Sequence, residues 1–306
     1  MGDFSFAVFG SGAVGGYFGG RLAEAGEDVR FVARGRHLAA IREHGLRVNS
    51  VDGDFVVSPA QVTDDPVALG PVNVVILGVK AWQVPHAAEA MRPLIGERAF
   101  VVPLQNGIEA PDQLATVLGA DRVLGGLCRI LAYVESPGHV RHSGVTPYVA
   151  FGELDGSSSA RVEALRQAFS RTRGVTAEVP PDIRVAMWSK FLFIAALSGV
   201  GALTRAPIGV IRSQPESREL LRQALEEIYA VAVRNRIALP AESGEDPRVH
   251  PRPPGGRDGF DAARHHAGPP LGARGAGGRG RPARRPPWRC RAGAADDLRN
   301  VAAAGA

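Results

Sequence analysis

Cysteine is nearly missing from this chain of 306 residues: Cys128 and Cys290 are the only two. That excludes a disulfide framework and a thiolate metal cluster, and Cys128, inside an apolar stretch, reads as a small buried hydrophobe. Long hydrophobic runs are also missing. No apolar stretch approaches the roughly 20 residues of a membrane span, and the opening segment has neither a basic n-region nor a cleavage site. A cytoplasmic protein with no membrane partner is the expectation. Lysine is the third scarcity, since all 36 basic residues are arginine except Lys80 and Lys190. A chain that writes Arg almost everywhere keeps Lys where a guanidinium cannot substitute, because an ammonium can shift its pKa and give up a proton.

Charge of one sign is missing from most of the chain too. The net charge is +5, but residues 245–306 hold 12 Arg against 6 acidic residues, which leaves 24 basic and 25 acidic residues for 1–244. The body is not basic. The Arg-rich tail has no ordered aromatic interleaving and no recognisable nucleic-acid module, so no nucleic-acid partner is expected. Hydrophobic content of 45% and charged content of 22% suit a globular protein with room for two cores.

What is present starts at residues 4–16, FSFAVFGSGAVGG, an apolar run that breaks into glycines and resumes with helical spacing. Gly10, Gly12 and Gly15 fall on G-x-G-x-x-G between a strand and a helix, the context that gives this pattern meaning. Gly10 allows the tight turn, Gly12 the approach of a pyrophosphate, and Gly15 the packing of helix on strand. Phosphates would then lie on unpaired N–H groups at the helix N-terminus. The second strand, 27–32, runs into Ala33-Arg34-Gly35-Arg36 with no carboxylate at its end. An acidic residue there would favour NAD and an arginine accommodates a 2′-phosphate, so NADP is expected, with Arg34 as first contact and Arg36 as second. A solvated basic turn is the plainer alternative.

A buried parallel strand is expected at 73–79, delivering Lys80 to the carboxyl end of the sheet with Gln83 three residues on. The strand at 100–104 repeats the arrangement with Gln105-Asn106-Gly107. Ligands of open α/β sheets bind at such strand ends, so these groups make a rim for nicotinamide and substrate, although Asn-Gly is also an ordinary turn. Residues 36–44 read as a short helix, 46–59 as strands turned at Asp52-Gly53, and 123–152 as further strands. An amphipathic helix is expected at 159–172 and a last strand at 175–179. From Pro181 the pattern changes to long helices. Residues 183–202 are apolar on most faces with Lys190 in their midst, and a lysine in such a helix is a functional candidate unless it snorkels to solvent. Another amphipathic helix follows at 218–238. The fold class is α/β: a Rossmann-like dinucleotide-binding domain over 1–180, then a helical domain over 181–244.

Together, GSGAVGG, Arg34, ILGVKAWQ around Lys80, PLQNGIE around Asn106 and IRVAMWSKFLF around Lys190 resemble the ketopantoate reductase family, over about residues 3–242. The resemblance implies NADPH-dependent reduction of 2-dehydropantoate to pantoate in pantothenate biosynthesis, on the way to coenzyme A. It implies Lys190 as general acid, tuned by burial from about 10.4 toward neutrality. It implies cofactor contacts at Gly10, Gly12, Ala13, Val14, Gly15, Arg34, Lys80, Gln83 and Asn106, and substrate contacts at Asn106, Lys80 and Ser198. It implies a small 2-keto acid as partner, no metal, and a monomer or homodimer. The family's asparagines after the catalytic lysine read Ile194 and Ser198 here, which leaves open a related 2-keto or 3-hydroxy acid dehydrogenase. A non-catalytic NADP(H)-binding protein is the alternative from another class.

Residues 245–306 depart from the family, as a mixture of Arg, Gly, Pro and Ala. A disordered basic tail is one reading. The other is a frameshift near 243–245. The degenerate codons for 260–273, read one nucleotide later, permit Ser-Met-Gln-Arg-Asp-Ile-Met and then Gly-Arg-Pro-Ser-Glu, the motif the family would carry, with its site carboxylate straddling Gly272 and Ala273. On that reading the helical domain is incomplete, the chain exposes apolar surface and its activity is impaired, and Trp288 and Cys290 have no role.

Overall fold

The computed structural model describes residues 4–240. The expectations for residues 245–306, a disordered basic tail or a shifted reading frame, therefore lie outside the described residues. The first half runs β1 (Ser5–Phe9), α1 (Ala13–Glu24), β2 (Asp28–Val32), α2 (Gly35–His44), β3 (Leu46–Ser50), β4 (Phe55–Val57), β5 (Gln61–Thr63), β6 (Val72–Leu77), α3 (Val84–Ala90), β7 (Ile95–Pro103) and α4 (Ala110–Leu118). It continues with β8 (Gly125–Arg129), β9 (Ala132–Ser136), β10 (His139–His142), β11 (Tyr148–Gly152), α5 (Ala160–Ser170) and β12 (Thr176–Glu178). Three helices complete it: α6 (Ile183–Thr204), α7 (Ile208–Ser213) and α8 (Pro215–Arg234).

Strands β1, β2, β5, β6 and β7 form a parallel sheet in the order β5-β2-β1-β6-β7. A parallel sheet is covered on both faces, which is why its central strands are continuously apolar rather than alternating. One face buries Phe6, Val8, Val74 and Ile76 with Phe18 and Leu22 of α1. The other buries Ala7, Phe9, Val75 and Leu77 with Val84 of α3 and Leu114 of α4. Arg21 is fully buried beneath α1, where Glu24, the Gly53 carbonyl and the Ser50 hydroxyl take its donors and the Phe55 ring lies 4.4 Å from its guanidinium. A buried charge is tolerable only with partners of this kind.

Two smaller sheets follow. In one, β3 pairs β4 antiparallel and β10 parallel, and β9 closes the edge. In the other, β8 and β12 flank β11. The first of these is not simply a closing of the dinucleotide domain by consecutive strands, because β10 inserts beside β3 from far along the chain. β8 continues past the end of β7, with the Leu124 N–H on the Val101 carbonyl and the Cys128 thiol on the Leu104 carbonyl.

α6 starts sharply because the Asp182 carboxylate accepts from the Arg184 and Val185 N–H groups at 2.8 and 3.1 Å, satisfying donors that have no intrahelical partner. It is apolar on most faces because it serves two layers. Ile183 and Met187 pack on Leu127 and Ala150 of the β8–β11 sheet. Further on, Leu192, Ala196 and Val200 pack on Ile211 of α7 and on Leu221 and Leu225 of α8. At 22 residues and mean hydropathy 1.6, α6 is long and apolar enough to cross a membrane by length and composition. The expectation that no such stretch exists is corrected: Lys190 and two glycines, Gly199 and Gly201, interrupt the run in sequence, and the helix is continuous through them.

Candidate active site

The glycine loop joins β1 to α1 as the motif requires. Gly10 has φ +94°, and a Cβ there would meet Val79 Cγ1 at 2.7 Å. A Cβ at Gly15 would stand 2.3 Å from the Gly10 carbonyl oxygen, so this glycine is the helix-to-strand contact. A Cβ at Gly12 would meet nothing within 4 Å, so this position faces open space at the N-terminus of α1, with Ala13 and Val14 as the first helical residues. An anion approaching that helix end meets free N–H groups and no side chain. Arg34 caps the N-terminus of α2 with extended backbone at φ −136°, and it and Arg36 are exposed beyond the end of β2. Nothing acidic stands on that strand end. The donor set fits the phosphates of a nicotinamide dinucleotide.

His37 was not singled out by sequence. Its Nδ1 accepts from the Gly138 N–H at 2.9 Å, so Nε2 carries the proton and donates to the Ser11 carbonyl at 2.7 Å. The ring thus ties the glycine loop to the β9–β10 turn. Its partners are remote in sequence or are backbone groups, which leave no side-chain signature.

β6 and β7 lie side by side and end together. Lys80 and Asn106 are both exposed at those two ends. The Lys80 N–H donates to Gln83 Oε1 at 3.1 Å, which fixes the turn that presents the lysine. Gln105 is buried and donates to the Leu77 carbonyl at 2.9 Å, so the preceding residue holds the two strand ends together while Asn106 faces out. Gly107 at φ +106° supplies the turn.

Lys190 approaches the same region from α6. Its ammonium donates to the Cys128 carbonyl, on the strand that runs on beside the end of β7. Desolvation lowers its pKa from the ordinary 10.5, and the nearby Arg129 charge pushes the same way. Both act against the charged form, which is how an amine is made a better proton donor near neutral pH. Burial likewise pushes the Cys128 thiol up, so it stays a neutral core group and not a nucleophile. Ile194 and Ser198 follow Lys190 by four and eight residues on the same side of the helix, Ile194 half-buried and Ser198 exposed. No direct hydrogen bond joins Lys80, Asn106, Ser198 and Lys190 among the described residues. Arg129 was missed by sequence because it is one arginine among many.

Residues 6–156 match the family model described as Ketopantoate reductase PanE/ApbA, and residues 182–252 match that of the Ketopantoate reductase PanE/ApbA C terminal. A 2-dehydropantoate 2-reductase of Mesorhizobium japonicum is 30% identical over 79% of each chain. An uncharacterized oxidoreductase of Bacillus subtilis, YkpB, is 34% identical over 74% of each. Among solved structures, the 2-dehydropantoate 2-reductase of Geobacter metallireducens superposes with a TM-score of 0.74 at 32% identity, over 80% of this chain and 81% of that one.

Proposed function

The chain belongs to the ketopantoate reductase family, and from that premise we propose that it reduces the ketone of 2-dehydropantoate to the hydroxyl of pantoate with NADPH. The observation that carries this reading is the desolvated Lys190 ammonium, held on the Cys128 carbonyl beside the strand ends that carry Asn106 and Lys80. Gly10, Gly12, Gly15 and the α1 N-terminus would hold the pyrophosphate, Arg34 the 2′-phosphate, and Lys80 and Asn106 the nicotinamide end and the substrate. The bound nucleotide supplies the hydride. Lys190 supplies the proton: as negative charge develops on the ketone oxygen, the ammonium donates to it, and the lysine is left neutral in a site that already disfavours its charge.

Ile194 supports a second reading. A half-buried aliphatic side chain one turn beyond the proton donor favours a 2-keto acid with a wholly apolar side chain over one that, like 2-dehydropantoate, ends in a hydroxyl. α6 packs on strands and on α7 and α8, which supports a cytoplasmic enzyme over a membrane-inserted one. The test is NADPH oxidation with 2-dehydropantoate and with 2-keto acids bearing aliphatic or aryl groups. Turnover that Lys190→Ala abolishes supports the reading, and tight NADPH binding without turnover of any keto acid sinks it.

A further inference from the structure

A 2-keto acid carries its carboxylate on the carbon bonded to the ketone. A site that protonates the ketone oxygen must therefore hold an anion a few ångströms from the proton donor. Lys190 cannot serve both groups. We infer that Arg129 is the carboxylate anchor of this site, an assignment that rests on the keto-acid reading above and extends it.

Four observations place Arg129 in that role. It directly follows Cys128, whose carbonyl accepts from Lys190, so its backbone forms part of the peptide unit that holds the proton donor, and its charge is felt by Lys190. It shares a strand face with Leu127, two residues back, and that face is the one on which α6 lies through Ile183 and Met187. Its guanidinium lies 5.0 Å from the centroid of the Tyr148 ring, its cross-strand partner, and the Tyr148 hydroxyl is itself fixed by donation to Glu178 at 2.7 Å. Stacking of this kind orients the planar fork and leaves its N–H edges free. Finally, Arg129 is exposed and no carboxylate among the described residues pairs with it, whereas Arg141 and Arg161 on nearby elements are taken by Glu135 and Glu153. A pre-oriented, unpaired guanidinium beside a proton donor matches a planar carboxylate with two parallel hydrogen bonds. Its charge also helps to depress the Lys190 pKa, and substrate binding would partly cancel that effect.

The experiment uses the full chain at saturating NADPH, with Arg129→Gln and Arg129→Lys. For 2-dehydropantoate, Arg129→Gln should raise KM by about 10- to 100-fold, the loss of a hydrogen-bonded charge partner, with Arg129→Lys recovering part of it. KM for NADPH should not change. The lactone of the same acid, which keeps the ketone and lacks the free carboxylate, should show no such penalty. The alkaline limb of the pH profile should move up in Arg129→Gln, because a cation beside Lys190 has gone. Oxamate, an unreactive analogue of the 2-keto carboxylate end of the substrate, should lose affinity in parallel. Turnover of 2-dehydropantoate by the unsubstituted chain with an unchanged KM in Arg129→Gln overturns the anchor and leaves the proposed reaction standing. No keto-acid turnover and no oxamate binding by the unsubstituted chain overturns both.

Discussion

On the proposed reaction, Lys190 would act as an acid because of where α6 puts it. Desolvation disfavours the ammonium, so the folded pKa lies below 10.5 and the proton is lost as pH rises through that lowered value. The rate should accordingly fall at a pH below the one at which a solvated lysine would ionise, and a pH profile of kcat/KM reads this directly. Lys190→Ala should lower kcat by about 10²- to 10⁴-fold, the usual contribution of a positioned general acid, with KM for NADPH little changed. The glycines offer a sharper discrimination. A Cβ at Gly15 would lie 2.3 Å from backbone, which no side-chain rotation relieves, so Gly15→Ala should cost about 1–3 kcal/mol of stability in a denaturant titration. Gly12→Ala meets nothing in the protein and should leave stability nearly unchanged, yet weaken NADPH binding measured by fluorescence, since the methyl would occupy the space left for phosphate. Equal loss of stability in both variants would show that Gly12 is structural only.

Elements differ in how far sequence reveals them, and the reasons are physical. The β1–α1–β2 unit was legible because glycine spacing, strand length and helical period agree locally. α8 begins at Pro215, three residues before the expected start, because proline is well suited to a helix's first turn, where its missing N–H has no intrahelical role. The pairing of β10 with β3 was not legible, since a parallel partner so far along the chain leaves no local mark. The same is true of the Cys128 carbonyl, because every residue has one and only the fold decides which meets Lys190. Arg34 is exposed just beyond β2, as expected from its place in the sequence, and its proposed contact makes a prediction at the level of that strand end: Arg34→Ala should weaken NADPH by about 10- to 100-fold and leave NADH unaffected, by the same charged-partner magnitude. An equal loss for both nucleotides would place Arg34 away from the 2′-phosphate. For α6, Asp182→Ala should cost about 1 kcal/mol through the lost cap, seen as a lower Tm.

At the scale of the whole molecule, the likeness to relatives covers most of the chain and stops short of its full length. The Mesorhizobium japonicum and Geobacter metallireducens proteins match about four fifths of this chain and about four fifths of their own lengths. About a fifth of each relative therefore lies outside its match to this chain, and about a fifth of this chain lies outside each match. Within the described residues, Leu203 near the end of α6 is 74% exposed, and Val231 and Val233 on the last turns of α8 are each 51% exposed. Leu203 and the two valines stand at opposite ends of the α6–α8 pair, so apolar side chains are exposed at both ends of the helical layer, where a further segment could cover them. The shifted reading of residues 245–306 would supply what is missing, since it turns an Arg-Gly-Pro stretch into one with Ile, Leu, Met and Phe and with the glutamate of a Ser-Met, Gly-Arg pattern. The codons are the first check: read one nucleotide later after 243–245, they should continue without a stop through that motif. A chain carrying the shifted segment should then run as one sharp species in size-exclusion chromatography, bind less of an apolar dye and melt at a higher temperature than the chain as it stands. A stop codon in the shifted frame, or equal dye binding and Tm for the two chains, would make the Arg-rich segment a genuine part of this protein and the exposed helix ends a native surface.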